Sequence, residues 1–274
     1  MNTPILDRDR LSVLSGVLVL GLALGRFLET PVRAVAVNVL GSPLGINLSA
    51  TTVLVLITLG LGVTAVESLV RSHPLARRGR LARSVMYWIT PCLLVLGLAA
   101  WLLAFEDVGV WTAGMLTAAV LVPPALALEY ANVDPDSRAR PLVRWGERAL
   151  IYVVAFILFS RIYDLRVRAL LSSPAVFALS AVLAARFLWF EIGSGVRALR
   201  YGATAGLLLG LFNWAFNYWR LSAMQGGLLL LLVFYALVGL VQGSLAGRFG
   251  RQLFLEYGVV LVVGLLIVVL MGLG

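Results

Sequence analysis

The chain has 274 residues, 61% of them hydrophobic and only 13% charged, with a mean hydropathy of +0.98. That composition excludes a soluble domain, because apolar runs of about 20 residues read as membrane-spanning helices and here they follow one another closely. The net charge is +9 and all 22 basic residues are arginine, so a retinal Schiff base, a pyridoxal lysine and a phosphate-loop lysine are excluded.

The N-terminal stretch MNTPILDRDR leads into an apolar run too long for a cleaved signal peptide and lacking a small-residue cleavage site. It is read as the first of nine spans. These lie near 11–29, 49–70, 84–105, 109–130, 147–163, 169–191, 201–219, 226–246 and 253–273. The expected fold is therefore all-α, a polytopic helix bundle of about nine transmembrane helices forming a single transmembrane domain over 1–274. The gap 30–48 alternates at first and then carries Gly41-Ser42-Pro43 and Gly45, which predicts either an ordered outer loop or a small hairpin. The connections 71–83 (RSHPLARRGRLAR) and 131–146 (ANVDPDSRARPLVRWG) are basic.

Arginine counts set the orientation. With the N-terminus inside, Arg26, Arg33, Arg161, Arg166, Arg168 and Arg220 fall on the outer side and the other sixteen on the cytoplasmic side. An odd span count then puts the C-terminus outside. The expected location is a bacterial inner membrane. Anionic or phosphate-bearing lipids at the cytoplasmic face and protein partners within the membrane are the expected partners. Arg77, Arg78, Arg80 and Arg83 either follow the positive-inside rule alone or mark a phosphate or polyprenyl-phosphate site.

Four spans run from outside to inside, and their inner ends read TAVESLV, ALALEYA, FLWFEIG and GLVQGSL. They place Glu67, Glu129, Glu191 and Gln242 at corresponding positions, the first three spaced by 62 residues and the last by 51. A fixed period points to a repeated two-helix unit, although equal loop lengths produce the same spacing. An ionised side chain at mid-membrane costs about 2.5–3.5 kcal/mol, and less near a helix end. Two readings stand. In one, these are boundary residues paired with inner arginines, such as Arg71 four residues after Glu67, or Arg186 across a turn from Glu191. In the other they form an inward-facing polar site for a cation, a proton or an anionic headgroup, with Glu256 in the same layer.

Asn213 and Asn217, four apart on one helix face, are candidates for interhelical hydrogen bonds or for ligand contacts. Trp214, Tyr218 and Trp219 suit an outer aromatic belt. Pro91, Pro123-Pro124 and Pro174 fall within spans and predict bent or broken backbone, most of all in the fourth. One cysteine (Cys92) and one histidine (His73) exclude an internal disulfide, a bis-histidine haem site and an ordinary zinc site. Asp134 and Asp136 read as a turn. No catalytic signature, metal site, cofactor or nucleic-acid partner is expected.

Three stretches, LGSPLGINLSATT at 40–52, VRSHP at 70–74 and YWITPCL at 87–93, together resemble an uncharacterised family of bacterial multi-pass membrane proteins, a domain of unknown function associated with Chloroflexota. The resemblance implies the membrane class and no activity. The leading expectation is a transport- or binding-type protein, or a subunit of a membrane assembly, without catalysis. The alternative is an intramembrane enzyme acting on a lipid or polyprenyl-phosphate at the inner leaflet.

Overall fold

A computed structural model describes residues 7–28, 33–39, 42–76, 85–134, 137, 139–165, 167–219, 221–248 and 250–270. Of the residues singled out above, Gly41, Arg77, Arg78, Arg80, Arg83, Asp136, Arg138, Arg166 and Arg220 lie outside the described residues. The described residues form nine helices: α1 (Arg8–Leu24), α2 (Ala50–Ser72), α3 (Val85–Leu102), α4 (Val108–Ala131), α5 (Arg140–Asp164), α6 (Ala169–Ile192), α7 (Gly195–Phe216), α8 (Ala223–Leu245) and α9 (Arg251–Leu270). Six of them, α2, α3, α4, α6, α8 and α9, are long and apolar enough to cross a membrane. The other three are shorter or more polar: α1 has 17 residues, α5 carries charges at both ends, and α7 begins with Arg197 and Arg200.

The helix ends follow local chemistry. Asp7 accepts from the backbone N–H groups of Asp9 and Arg10 at 3.1 and 3.3 Å, which starts α1 three residues earlier than its apolar run. Ser49 caps α2 and Asp107 caps α4 in the same way. Ser222 and Gln225 form a reciprocal capping box at α8. Pro141 sits in the first turn of α5, where a missing N–H costs little, so that helix begins seven residues before its expected start.

Helix α4 is not broken at Pro123-Pro124, contrary to expectation; it is one helix over 24 residues. Two prolines remove two donors but leave the hydrogen-bond ladder on either side, and burial of Val122, Ala125 and Leu126 holds the segment in place. Pro91 and Pro174 likewise lie inside continuous helices. The helical architecture carries one addition. β1 (Arg33–Val39) pairs antiparallel with β2 (Ser42–Leu48), in register from Arg33 opposite Leu48 to Val39 opposite Ser42.

The chain divides into two compact units, Met1–Arg144 and Trp145–Gly274, with the division in the first turns of α5. In the first unit α1 packs on α2, α3 and α4, and α3 packs between α2 and α4. Its core is aliphatic: Leu18, Val66, Leu69, Leu94, Leu98 and Leu126 are buried. A small apolar crevice is lined by Gly21, Leu22, Thr58, Val95, Ala99 and Leu102, and none of the singled-out glutamates borders it.

In the second unit α6 packs closely against α7. Gly202, Gly206 and Gly210, each four residues apart, give α7 a side without Cβ atoms. A Cβ on Gly206 would lie 2.7 Å from the Phe177 carbonyl oxygen, and one on Gly210 would lie 3.1 Å from that of Ser173. Small residues at this spacing let two helix backbones approach closely and gain van der Waals contact along their length. Helix α8 packs on α7, α9 and α6. Ring contacts of Tyr152 with Phe187, Phe234 and Tyr235 tie α5 to α6 and α8. The Tyr163 hydroxyl donates to the Phe216 and Trp219 carbonyls at 3.0 and 2.6 Å, satisfying the end of α7.

Candidate polar site in the second unit

At one end of the second unit, charged and polar side chains from α5, α6 and α8 meet. The Oε1 atom of Glu191 accepts from Arg148 Nη2 at 2.6 Å and from Gln242 Nε2 at 2.7 Å. Side chains of α5 and α8 thus converge on one carboxylate oxygen of α6. Arg148 and Glu191 are 29% and 23% exposed, so this group sits at the surface of the unit. Deeper lies a second pair. Arg186 Nη2 approaches Glu147 Oε1 at 2.9 Å, with the two side chains 0% and 2% exposed.

Helical geometry explains the two pairs. Glu147 and Arg148 are neighbours on α5 and point about 100° apart, one inward and one sideways. On α6, Arg186 and Glu191 are five residues apart, hence about 140° around the axis. For that reason the expected Arg186–Glu191 pairing does not form, and each takes a partner from α5 instead. Aromatic faces flank both guanidiniums. Arg186 lies 4.5 Å from the Phe190 ring centroid and 5.6 Å from that of Trp189, and Arg148 lies 5.1 Å from that of Phe187. Burying an ion pair this completely costs desolvation energy that the attraction only offsets, so its net contribution to stability is small.

Below Arg148 stands a tyrosine cluster. Tyr152 contacts Tyr235 at 5.7 Å between centroids, and Tyr235 contacts Tyr257 at 5.3 Å. Gly239 makes room for the Tyr257 ring, because a Cβ there would overlap it. Glu256, next to Tyr257 in α9, is exposed.

In the first unit Glu67 pairs with Arg71 one turn on, and its Oε2 accepts from Trp88 Nε1 at 2.8 Å. Glu129 is fully buried and lies within electrostatic reach of Cys92. Trp88 and Cys92 are four residues apart on α3, so the two glutamates address one face of that helix about a turn apart. At the end of α2, His73 is 1% exposed, with its ring 4.8 Å from that of Tyr130. Its Nδ1 accepts from the Leu75 backbone N–H at 3.3 Å. Burial pushes the imidazole pKa below its ordinary value, and the carboxylate of Asp134 opposes that.

Asn213 and Asn217 part company. Asn213 is buried and donates to the hydroxyls of Ser172 and Ser173, each at 3.1 Å, bridging α7 to α6. Asn217 falls one residue past Phe216 and serves through its backbone as the cap of α7. Trp214, Tyr218 and Trp219 are exposed at that end. Among the described residues no three His, Cys, Asp or Glu side chains are grouped to hold a metal ion.

Sequence reasoning had singled out Glu191, Gln242 and Arg186, but not Glu147 or Arg148. The signal was present: RWGER sets two arginines and a glutamate just ahead of an apolar run, where α5 faces the end of α6. The GxxxGxxxG spacing of Gly202, Gly206 and Gly210 was also readable.

A family model described as "Protein of unknown function (DUF5656)" matches residues 30–271, and the chain belongs to that family. No curated protein and no solved structure matches the chain.

Proposed function

We propose that this member of the DUF5656 family is a binding- or transport-type protein of a bacterial inner membrane, acting without catalysis. All nine helices cross the bilayer in this reading, with the N-terminus and the arginine-rich connections on the cytoplasmic side. Its ligand site is the polar end of the second unit. The observation that carries this is the convergence of Arg148 and Gln242 on one oxygen of Glu191, above the buried Glu147–Arg186 pair. Ionisable groups held inside a membrane protein are costly, and such groups mark ligand or ion pathways by default. Helix ends alone need no second buried pair and no glutamine from a third helix.

The test is purification of the full chain in native lipid particles, with identification of everything retained by mass spectrometry, for the wild type and for Glu191→Gln. A lipid or small molecule held by the wild type and lost from the variant supports the reading. A stoichiometric protein partner, with no such ligand, makes the chain a subunit and the polar cluster a structural lock.

A further inference from the structure

The chemistry of the ligand rests on the reading above and on what three joined side chains leave unused. Arg148 and Glu191 meet through one N–H group and one oxygen, Nη2 to Oε1, where arginine and carboxylate often form two parallel bonds. Gln242 Nε2 donates to that same Oε1. Glu191 Oε2 therefore accepts nothing among the described residues. The Gln242 amide turns its nitrogen to Glu191, because an ionised carboxylate only accepts, so its Oε1 is a second open acceptor. The Phe187 ring covers one face of the Arg148 guanidinium, and Nε and Nη1 donate to nothing among the described residues. All three side chains are partly exposed, so these donors and acceptors are open to a ligand.

The pairing decides which charge a ligand carries. An anion alone on Arg148 would sit beside the Glu191 carboxylate, which is 2.6 Å from the guanidinium, and a cation alone on Glu191 would sit beside Arg148. In both cases the repulsion from one partner cancels much of the attraction to the other. A ligand with both charges meets each partner with the opposite sign. The two open acceptors, Glu191 Oε2 and Gln242 Oε1, call for a cation with N–H donors. A primary ammonium has three, and a quaternary ammonium has none. The open guanidinium donors suit a phosphate or carboxylate.

We propose that Arg148, Glu191 and Gln242 bind a zwitterion with a primary ammonium and an oxyanion on one molecule, either a lipid headgroup or a free solute. The ammonium donates to Glu191 Oε2 and Gln242 Oε1, and the oxyanion accepts from the remaining N–H groups of Arg148. The Arg148–Glu191 and Gln242–Glu191 bonds stay in place and hold the three side chains for it.

The experiment is native mass spectrometry of the detergent-purified full chain titrated with matched pairs that differ only in the methyl groups on nitrogen. The pairs are phosphatidylethanolamine and phosphatidylcholine of the same chains, phosphoethanolamine and phosphocholine, and glycine and glycine betaine. The wild type is expected to bind the primary-ammonium member of at least one pair about tenfold or more tightly than its trimethylated partner, the size of one hydrogen bond to a charged group. Selection in the lipid pair alone identifies a lipid headgroup, and selection in a soluble pair identifies a free solute. Gln242→Met keeps the Arg148–Glu191 contact and is expected to weaken the selected ligand about tenfold, while Glu191→Gln is expected to abolish the preference. Equal binding within all three pairs overturns the proposal, as does a preference that survives unchanged in Glu191→Gln. Unchanged affinity in Gln242→Met overturns it too, because the ammonium then does not sit between the two acceptors. The failures are separable: a retained ligand that is lost in Glu191→Gln but carries no ammonium leaves the site standing and removes only this inference.

Discussion

Breaking the Glu147–Arg186 pair is the most informative perturbation of the second unit. Arg186 is wholly buried and Glu147 nearly so, at 2.9 Å, with aromatic rings over the guanidinium. Replacing Arg186 by Met leaves a carboxylate without its counter-ion in an apolar interior, and replacing Glu147 by Gln leaves a guanidinium so placed. Removing one partner of such a pair costs about 3–5 kcal/mol, whereas replacing both is close to neutral. The double variant Glu147→Gln/Arg186→Met is therefore expected within about 1 kcal/mol of the wild type, giving a coupling energy above about 2 kcal/mol. The assay is unfolding in mixed micelles by titration with dodecyl sulfate, followed by circular dichroism. Single-variant losses that simply add in the double variant, with coupling below about 0.5 kcal/mol, would refute the reasoning.

Four further outcomes follow from other contacts. Gly206→Ala drives a Cβ to 2.7 Å from the Phe177 carbonyl oxygen and should cost about 1–3 kcal/mol, while Gly16→Ala, which meets nothing within 4 Å, should be neutral or stabilise by up to about 1 kcal/mol; the same unfolding titration separates them. Asn213→Ala, which removes the bridge to Ser172 and Ser173, should cost about 1 kcal/mol and leave the retained ligand in place, and mass spectrometry of that variant checks the second half. For His73 the folded-state pKa is lowered, so the unfolded chain binds the proton first. Stability is complete above the ordinary histidine pKa and falls as pH drops through it, and thermal unfolding measured from pH 8 to 5.5 should show a slope that His73→Gln reduces. Accessibility gives the orientation: in a Cys92→Ser background, a cysteine at Ser194, between α6 and α7, should resist a membrane-impermeant maleimide in intact cells and react after permeabilisation, with a reagent-accessible Ser194→Cys in intact cells reversing the topology.

The helices were legible because long apolar runs favour them: each of the nine expected spans overlaps a helix among the described residues, and six of those helices are long and apolar enough to cross a membrane. Their ends were less legible, since caps such as Asp7 and a first-turn Pro141 extend a helix into polar sequence that hydropathy leaves out. The prolines misled because burial on both sides keeps α4 continuous. At the polar site, Glu191 and Gln242 stood out as interruptions of apolar runs, and the structure joins them directly. Their partner Arg148 was hidden among the arginines of a basic connection, where charge has an ordinary explanation. Pairing across helices depends on angular position, and a five-residue separation looked close in sequence while pointing elsewhere in space.

The central claim is that the Glu191 cluster binds a ligand rather than only ending a helix. The most direct measurement is the thermal unfolding of delipidated protein with and without added total membrane lipid, for the wild type and for Glu191→Gln. A ligand bound only by the folded state, present at about 100 times its dissociation constant, adds about 2.7 kcal/mol, which corresponds to a rise of about 5 °C or more. The account predicts that rise for the wild type and little or none for Glu191→Gln. An equal rise in both proteins would mean that lipid acts on the whole apolar surface and that the cluster is not its site.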